Sequence, residues 1–155
     1  MAIGRSGWPI AYRDCRRAEQ LQGCFTMMEL TPYLLVGVGS AVGGVLRYGL
    51  SQLFDAREEA GAFPWGILIV NLIGCLVMGV AFVLLERTPL KLLIMSGILG
   101  GFTTFSAFSL ITLELFQRGR FDLALGYVAA SVIGCLLAVW IGVLVTTALR
   151  GTPGP

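Results

Sequence analysis

The sequence predicts an all-α membrane protein with four transmembrane helices per subunit, the third of which is broken. Of the 155 residues, 56% are hydrophobic and only 13% are charged, whereas a soluble domain carries roughly 25% charged residues. The mean hydropathy is +0.83. The apolar residues gather in four spans, each longer than the roughly 20 residues that cross a bilayer as a helix. Two glycines and several hydroxyl residues interrupt the third span.

The spans follow a polar segment. Residues 1–28 are irregular and contain no continuous apolar stretch of the secretory type. We expect them to be a disordered tail or the product of an upstream start codon, because Met27 and Met28 stand directly before the first span. Residues 29–150 are the predicted transmembrane domain, and residues 151–155 are a short tail. The four spans cover about residues 31–54, 64–85, 90–116 and 121–149.

Short loops between the spans make successive helices antiparallel, so both ends of the domain lie on one side of the membrane. From Met27 onward, three positive charges flank each side of the membrane. On the side of the termini they are Arg87, Lys91 and Arg150, and on the other side Arg57, Arg118 and Arg120. The positive-inside rule therefore gives no orientation. Insertion in both orientations, and pairing of the copies as an antiparallel dimer, would require such a balance.

Small residues recur at a spacing of four, which lets membrane helices approach closely. The pairs are Gly39 with Gly43, Gly97 with Gly101, and Ala138 with Gly142. Such pairs predict a helix bundle but do not indicate what the protein binds or transports. A single bundle of four helices is too thin to enclose a solvated pore, which favours an oligomer.

Composition also argues against several functions. The chain has no histidine, and therefore lacks the commonest general base and transition-metal ligand. No nucleophile–base pair is visible, so an enzyme is disfavoured. No lysine-rich run indicates nucleic-acid binding. Cys75 and Cys135 lie inside apolar spans, and we interpret them as small packing residues.

The third span carries the most informative stretch, in which a Gly-Gly pair precedes hydroxyl residues and phenylalanines up to Ser109. Breaking a helix in hydrocarbon exposes costly backbone groups, and chains that do so usually bind or pass something. Phe105 and Phe108 share one helix face. Aromatic ring edges carry positive partial charge, so these rings and nearby hydroxyls could line a path for a small anion. The alternative is packing against lipid or neighbouring helices.

Polar residues in the other spans also have two interpretations. Asn71, in the middle of the second span, either links helices, worth about 1 kcal/mol, or donates to an anion. Tyr127 and Ser131 share a face of the fourth span and either bond between helices or extend a polar strip. Arg47 lies near the end of the first span and can extend to the interface. No span has the central carboxylate that a proton-coupled antiporter normally needs.

Four motifs, one in each span, carry a family resemblance. They are Gly43-Gly44-x-x-Arg47-Tyr48, Pro64-Trp65-Gly66-x-x-x-x-Asn71-x-x-Gly74, Gly97-x-x-Gly100-Gly101-Phe102-Thr103-Thr104-Phe105-Ser106-x-Phe108-Ser109 and Gly126-Tyr127-x-x-x-Ser131. Together they resemble the Fluc (CrcB) family of fluoride channels over about residues 34–149.

The resemblance implies an antiparallel dual-topology homodimer in the lipid bilayer of the bacterial plasma membrane, with two fluoride pathways. It also implies a structural sodium ion on the dimer axis, held by the backbone carbonyls of Gly100 and Thr103 from each subunit. Arg47 takes a structural or vestibular role. The residues implied for the ion pathway are Asn71, Phe105, Phe108, Thr104, Ser109, Tyr127 and Ser131.

The function implied is passive export of cytoplasmic fluoride, which gives fluoride resistance. The competing hypothesis is a small multidrug-type or cation exporter of similar architecture, which should carry a carboxylate inside the first span. A non-transporting assembly subunit would not need the break. Two positions depart from the family pattern, since Ala107 replaces a threonine and Ile111 stands where many members have glutamate. We expect them to alter the polar track beyond Phe108.

Overall fold

The computed structural model describes residues 30–55, 63–85 and 89–151, and this part of the chain contains helices and no strand. The third span is assembled from several consecutive helical pieces. In chain order the helices are α1 (Leu30–Asp55), α2 (Trp65–Leu84), α3 (Pro89–Lys91), a π-helix (Leu92–Leu99), α4 (Gly100–Phe102), α5 (Phe105–Gln117) and α6 (Phe121–Arg150).

The four predicted spans are confirmed, and their ends differ from the prediction by at most one residue. Four helical stretches are long and apolar enough to cross a membrane. The third extends from Pro89 to Gln117 and includes the break. The predicted tail of residues 1–28 lies outside the described residues, as do residues 152–155 of the short C-terminal tail.

A glycine with positive φ lies at each end of α6. Gly119, at φ 72°, lies in the tight turn between α5 and α6, where Arg120 N–H donates to the Leu115 carbonyl at 2.9 Å. Gly151, at φ 64°, adopts the left-handed conformation that commonly ends a helix. The turn reverses the chain within a few residues, so α5 and α6 form a helical hairpin.

Helices α2 and α6 pack against each other along most of their length. A Cβ on Gly134 would lie 2.8 Å from Leu72 Cδ2, and one on Gly142 would collide with the Leu76 carbonyl oxygen. Because the contacts advance along both helices together, α2 and α6 run parallel. The prediction that Gly142 permits close packing is confirmed, since any side chain there would enter the backbone of α2.

Helix α1 packs against the first half of the third span, again through glycines. A Cβ on Gly39 would lie 2.8 Å from Gly97 Cα, and one on Gly43 would collide with the Ile98 carbonyl oxygen. A Cβ on Gly101 would lie 2.7 Å from Ser40 Cα. The small-residue spacing in these two spans therefore marks a real interface, in which backbone touches backbone.

The break in the third span is confirmed and is confined to two residues. Thr103 (φ −81°, ψ 148°) and Thr104 (φ −146°, ψ 123°) are extended. Helix α5 resumes at Phe105, and the Thr104 side chain caps it by accepting from the Ala107 N–H at 3.3 Å. A buried apolar cluster between α2, α5 and α6 lies just beyond the break, and includes Ile67, Leu68, Phe108, Leu115, Ala124 and Tyr127.

Candidate functional site: a cavity at the helix break

Asn71 joins α2 to the break through both atoms of its amide group. Its Nδ2 donates to the Thr104 carbonyl at 3.1 Å, and its Oδ1 accepts from the Thr104 N–H at 2.9 Å. The side chain is only 9% exposed. The linking role that the sequence left open is therefore present. A side-chain amide nitrogen carries two N–H groups, so a donor function toward a ligand is compatible with this role.

Backbone carbonyls lose their helical partners at the break, among them those of Gly100 and Thr103. In a continuous helix the Thr104 N–H would donate to the Gly100 carbonyl and the Ala107 N–H to the Thr103 carbonyl. Here the first donates to Asn71 Oδ1 and the second to Thr104 Oγ1. Side chains thus accept hydrogen bonds from the two N–H groups that would otherwise donate to the carbonyls of Gly100 and Thr103. These carbonyl oxygens are the ones that the resemblance assigns to sodium.

A row of aromatic rings extends from the break into the apolar cluster. Phe105 and Phe108 have ring centroids 5.2 Å apart, and Phe108 stacks on Tyr127 at 5.5 Å with 29° between the ring planes. Phe63 meets Tyr127 edge-on at 5.8 Å. Exposure falls along the row, from 77% for Phe105 to 9% for Phe108 and 0% for Tyr127. The two phenylalanines therefore share a face, as predicted, but only Phe108 is packed within the subunit.

Sequence reasoning missed Phe63, which lies next to Pro64 at the start of α2. Its ring centroid is 4.8 Å from that of Trp65 and 5.8 Å from that of Tyr127. An aromatic residue on either side of a helix-initiating proline was the available signal. Phe63 extends the aromatic row away from the break.

An open cavity of about 250 Å³ lies against the break. It brings together five of the seven predicted pathway residues, from α2, the break, α5 and α6. Of the four other wall residues, Thr103 was assigned only to the sodium site, and Cys75, Val132 and Cys135 were not predicted to line it. The lining residues are Asn71, Cys75, Thr103, Thr104, Phe105, Phe108, Ser131, Val132 and Cys135.

Two buried hydroxyls near the cavity have unfilled hydrogen-bonding capacity. Tyr127 Oη and Ser131 Oγ lie beside each other, yet neither completes a hydrogen bond of normal geometry within the described part of the chain. A buried hydroxyl without a partner costs about 1–3 kcal/mol. Ser131 faces the cavity, whereas Tyr127 lies behind Phe108, so only Ser131 can meet a ligand there directly.

The other two predicted pathway hydroxyls, those of Thr104 and Ser109, form hydrogen bonds with the backbone. Ser109 is exposed, lies outside the cavity and donates to the Phe105 carbonyl at 2.9 Å. Thr104 Oγ1 caps α5 and lies 3.0 Å from Ser106 Oγ. The structure therefore brings Thr104 to the cavity and does not bring Ser109 there.

The two positions that depart from the family pattern lie beside the aromatic row. Ala107 and Ile111 are partly buried and pack against the cluster that contains Phe108 and Tyr127. The next hydroxyl, that of Thr112, donates to the Phe108 carbonyl at 2.8 Å. The side of α5 that continues beyond Phe108 is thus apolar in this chain.

Charged groups lie away from the cavity. Arg47, on α1, has an enclosed Nε without a hydrogen-bond partner in residues 30–55, 63–85 and 89–151. Glu114 forms an ion pair with Arg118 at 3.8 Å, close to the turn before α6. Among the described residues, the wall of the cavity contains amide, hydroxyl, thiol and aromatic groups but no lysine or arginine. Such a wall can donate hydrogen bonds to an anion without holding it by a full positive charge.

Comparison with known proteins identifies relatives over most of the chain. Residues 34–143 match the family model of "CrcB-like protein, Camphor Resistance (CrcB)". A protein of Rhizobium etli named "Fluoride-specific ion channel FluC" is 48% identical over 121 residues, which cover 75% of this chain and 96% of the relative. Proteins of the same name are 40% identical in Methylocella silvestris, over 79% of this chain and 98% of the relative, and 41% identical in Chloroflexus aurantiacus, over 71% and 90%.

Proposed function

Because the chain belongs to the CrcB family, we propose that it is a fluoride-specific ion channel, a multi-pass bacterial membrane protein and not an enzyme. The observation that carries this proposal within the structure is the junction of Asn71 with the break. Asn71 and the break line one cavity together with Phe105, Phe108 and Ser131.

The cavity wall suits a small, strongly hydrated anion. The second N–H of Asn71, the hydroxyl of Ser131 and the ring edges of Phe105 and Phe108 would replace water around fluoride. A conducting site has to release its ion as readily as it takes it up, and a wall without lysine or arginine meets this condition.

The direction of transport follows from the membrane potential. Hydrogen fluoride crosses membranes as a neutral molecule and dissociates in the less acidic cytoplasm, where fluoride remains trapped. A negative interior drives the anion outward by about 2.3 kcal/mol per 100 mV. Passive export through the plasma membrane would therefore give fluoride resistance without a pump. A carboxylate-dependent exporter is less well supported, because the only acidic residue of α1 is Asp55, at its end.

The working unit of this channel is an antiparallel homodimer in the bilayer. Phe105, a wall residue of the cavity, is 77% exposed in the single subunit, and the cavity itself is open. A second copy would cover this ring and complete the wall. The equal number of positive charges on the two sides of the four spans supports insertion in both orientations.

The residues at the break fit a structural sodium ion. The Gly100 and Thr103 carbonyls have lost their helical partners, and unwound carbonyls at membrane depth suit a hard cation. A sodium ion held by these oxygens from both subunits would supply positive potential near the two pathways. Dimer dissociation measured in sodium and in N-methylglucamine buffers tests this assignment. Weaker dimers without sodium are expected, and an unchanged dimer and flux would contradict it.

Fluoride efflux from liposomes tests the function. Vesicles containing the purified protein are loaded with fluoride, a potassium gradient with valinomycin sets the potential, and chloride is the parallel anion. We expect rapid fluoride release, no chloride release, and loss of release in Phe105→Ile and Phe108→Ile. Phe116→Ile, on the same helix but outside the cavity, is the matched control. Absence of fluoride release from a folded dimer would refute the channel, and full release by both cavity variants would refute the role of the ring edges.

A further inference from the structure

The two cysteines within the described spans form a pair. Cys75 on α2 and Cys135 on α6 are both free and partly buried, and their side chains are neighbours in the wall of one cavity. The packing of α2 on α6 brings them together, because the backbones touch through Gly142 and the residues around Leu76. Packing alone does not require two sulfur atoms at adjoining positions of neighbouring helices.

The pair also belongs to the wall of the cavity. Cys75 lies one helical turn beyond Asn71, and Cys135 one turn beyond Ser131, so each cysteine shares a helix face with a predicted pathway residue. All four side chains line the same space. Ser131 is 5% exposed and its Oγ has no hydrogen-bond partner of normal geometry there. A group bound between the sulfur atoms would therefore occupy the space beside Asn71 and Ser131.

We propose that Cys75 and Cys135 form a two-sulfur binding site for a soft divalent metal cation, and that the bound ion obstructs the cavity. Thiolates select soft metals. Binding of Hg²⁺ forms two mercury–sulfur bonds and releases the two thiol protons to water, without any change in oxidation state. The product carries no net charge, which removes the main cost of placing a divalent ion within the membrane. The ion is an inhibitor here and is not a resident cofactor.

Binding to the pair is independent of the proposed function, whereas the obstruction rests on it. The experiment therefore measures binding and flux separately on the same samples. The chain contains two other cysteines, Cys15 and Cys24, so all proteins carry Cys15→Ser and Cys24→Ser. In this background the intact pair is compared with Cys75→Ser and with Cys135→Ser.

Mercury per subunit, proton release and the sulfur-to-mercury charge-transfer absorbance are titrated with HgCl₂. The intact pair should bind one Hg²⁺ per subunit, release two protons, and bind about 100-fold more tightly than either single-cysteine protein, because the second sulfur binds intramolecularly. Fluoride efflux from liposomes should stop at the same mercury concentration and return with dithiothreitol. Each variant is compared with its own untreated rate.

The outcomes separate the two claims. Equal affinity in the intact and single-cysteine proteins, or two Hg²⁺ per subunit, would overturn the paired site. Paired binding with unaffected fluoride efflux would overturn the obstruction. Paired binding in a folded protein that never conducts fluoride would support the metal site and count against the proposed channel function.

Discussion

The two halves of the third span are held in different ways. The half before the break packs on α1 through glycines, and its backbone approaches so closely that a methyl group on Gly43 or Gly101 would meet main-chain atoms. The half after the break packs on α2 and α6 through large side chains, with Phe108 stacked on Tyr127. Asn71 holds the junction. A span that must be unwound at its centre thus has a separate anchor on each side of the unwound residues.

The largest effect is expected from a methyl group in the glycine interface. In Gly43→Ala the new Cβ would overlap the Ile98 carbonyl oxygen, and a main-chain atom cannot rotate away. Overpacking of this kind should lower the free energy of unfolding by about 3 kcal/mol, as measured by denaturant titration in detergent. Gly37→Ala is the control, because a Cβ there meets nothing within 4 Å. Equal stability of the two variants would contradict the backbone contact.

Loss of the hydrogen bonds between Asn71 and the break should have the second-largest effect on stability. Asn71→Ala removes both hydrogen bonds to Thr104 and leaves a partly buried N–H and carbonyl unpaired. The free energy of unfolding should fall by about 2 kcal/mol, and fluoride efflux should be lost. Ser109→Ala is the control, since that hydroxyl bonds only its own helix. If Asn71→Ala lost efflux at unchanged stability, the amide would act mainly on the ion and not on the break.

The cap of α5 should contribute less. Thr104→Ala removes the acceptor of the Ala107 N–H, which should cost about 1 kcal/mol of unfolding free energy. The two bonds from Asn71 still hold the Thr104 backbone extended, so the dependence of the dimer on sodium should not change. Thr104→Ser retains the hydroxyl and should restore the stability. Failure of serine to restore it would indicate that the threonine methyl group, and not the cap, is required.

The smallest expected effect is an increase in the free energy of unfolding. Tyr127→Phe keeps the ring that stacks on Phe108 and removes a buried hydroxyl without a completed hydrogen bond. The free energy of unfolding should rise by up to about 1 kcal/mol, and fluoride efflux should be retained, because Tyr127 lies behind Phe108 and does not line the cavity. A loss of stability would show that the hydroxyl has a partner in the folded protein.

Much of the candidate site was predictable because its residues stand out from an apolar background. An amide at position 71, and glycines followed by hydroxyls at 100–104, are expensive in a membrane and therefore informative. Cys75 and Cys135 were interpreted as packing residues because each is unremarkable in its own helix. Ser109 was assigned to the pathway from the motif, but its local bond to the Phe105 carbonyl, which sequence spacing does not reveal, takes up its proton.

The four spans, their ends to within one residue and the position of the break follow from the sequence, because hydrophobicity, helix length and the cost of exposed backbone are local properties. Which groups pair with the backbone at the break, and which backbone groups remain unpaired there, depends on how the helices pack. Asn71 accepts from the Thr104 N–H, the Gly100 and Thr103 carbonyls lose their helical partners, and Cys75 and Cys135 come to line the same cavity. Each of these depends on the rotation and depth at which one helix packs on another, and small residues permit that arrangement without specifying it.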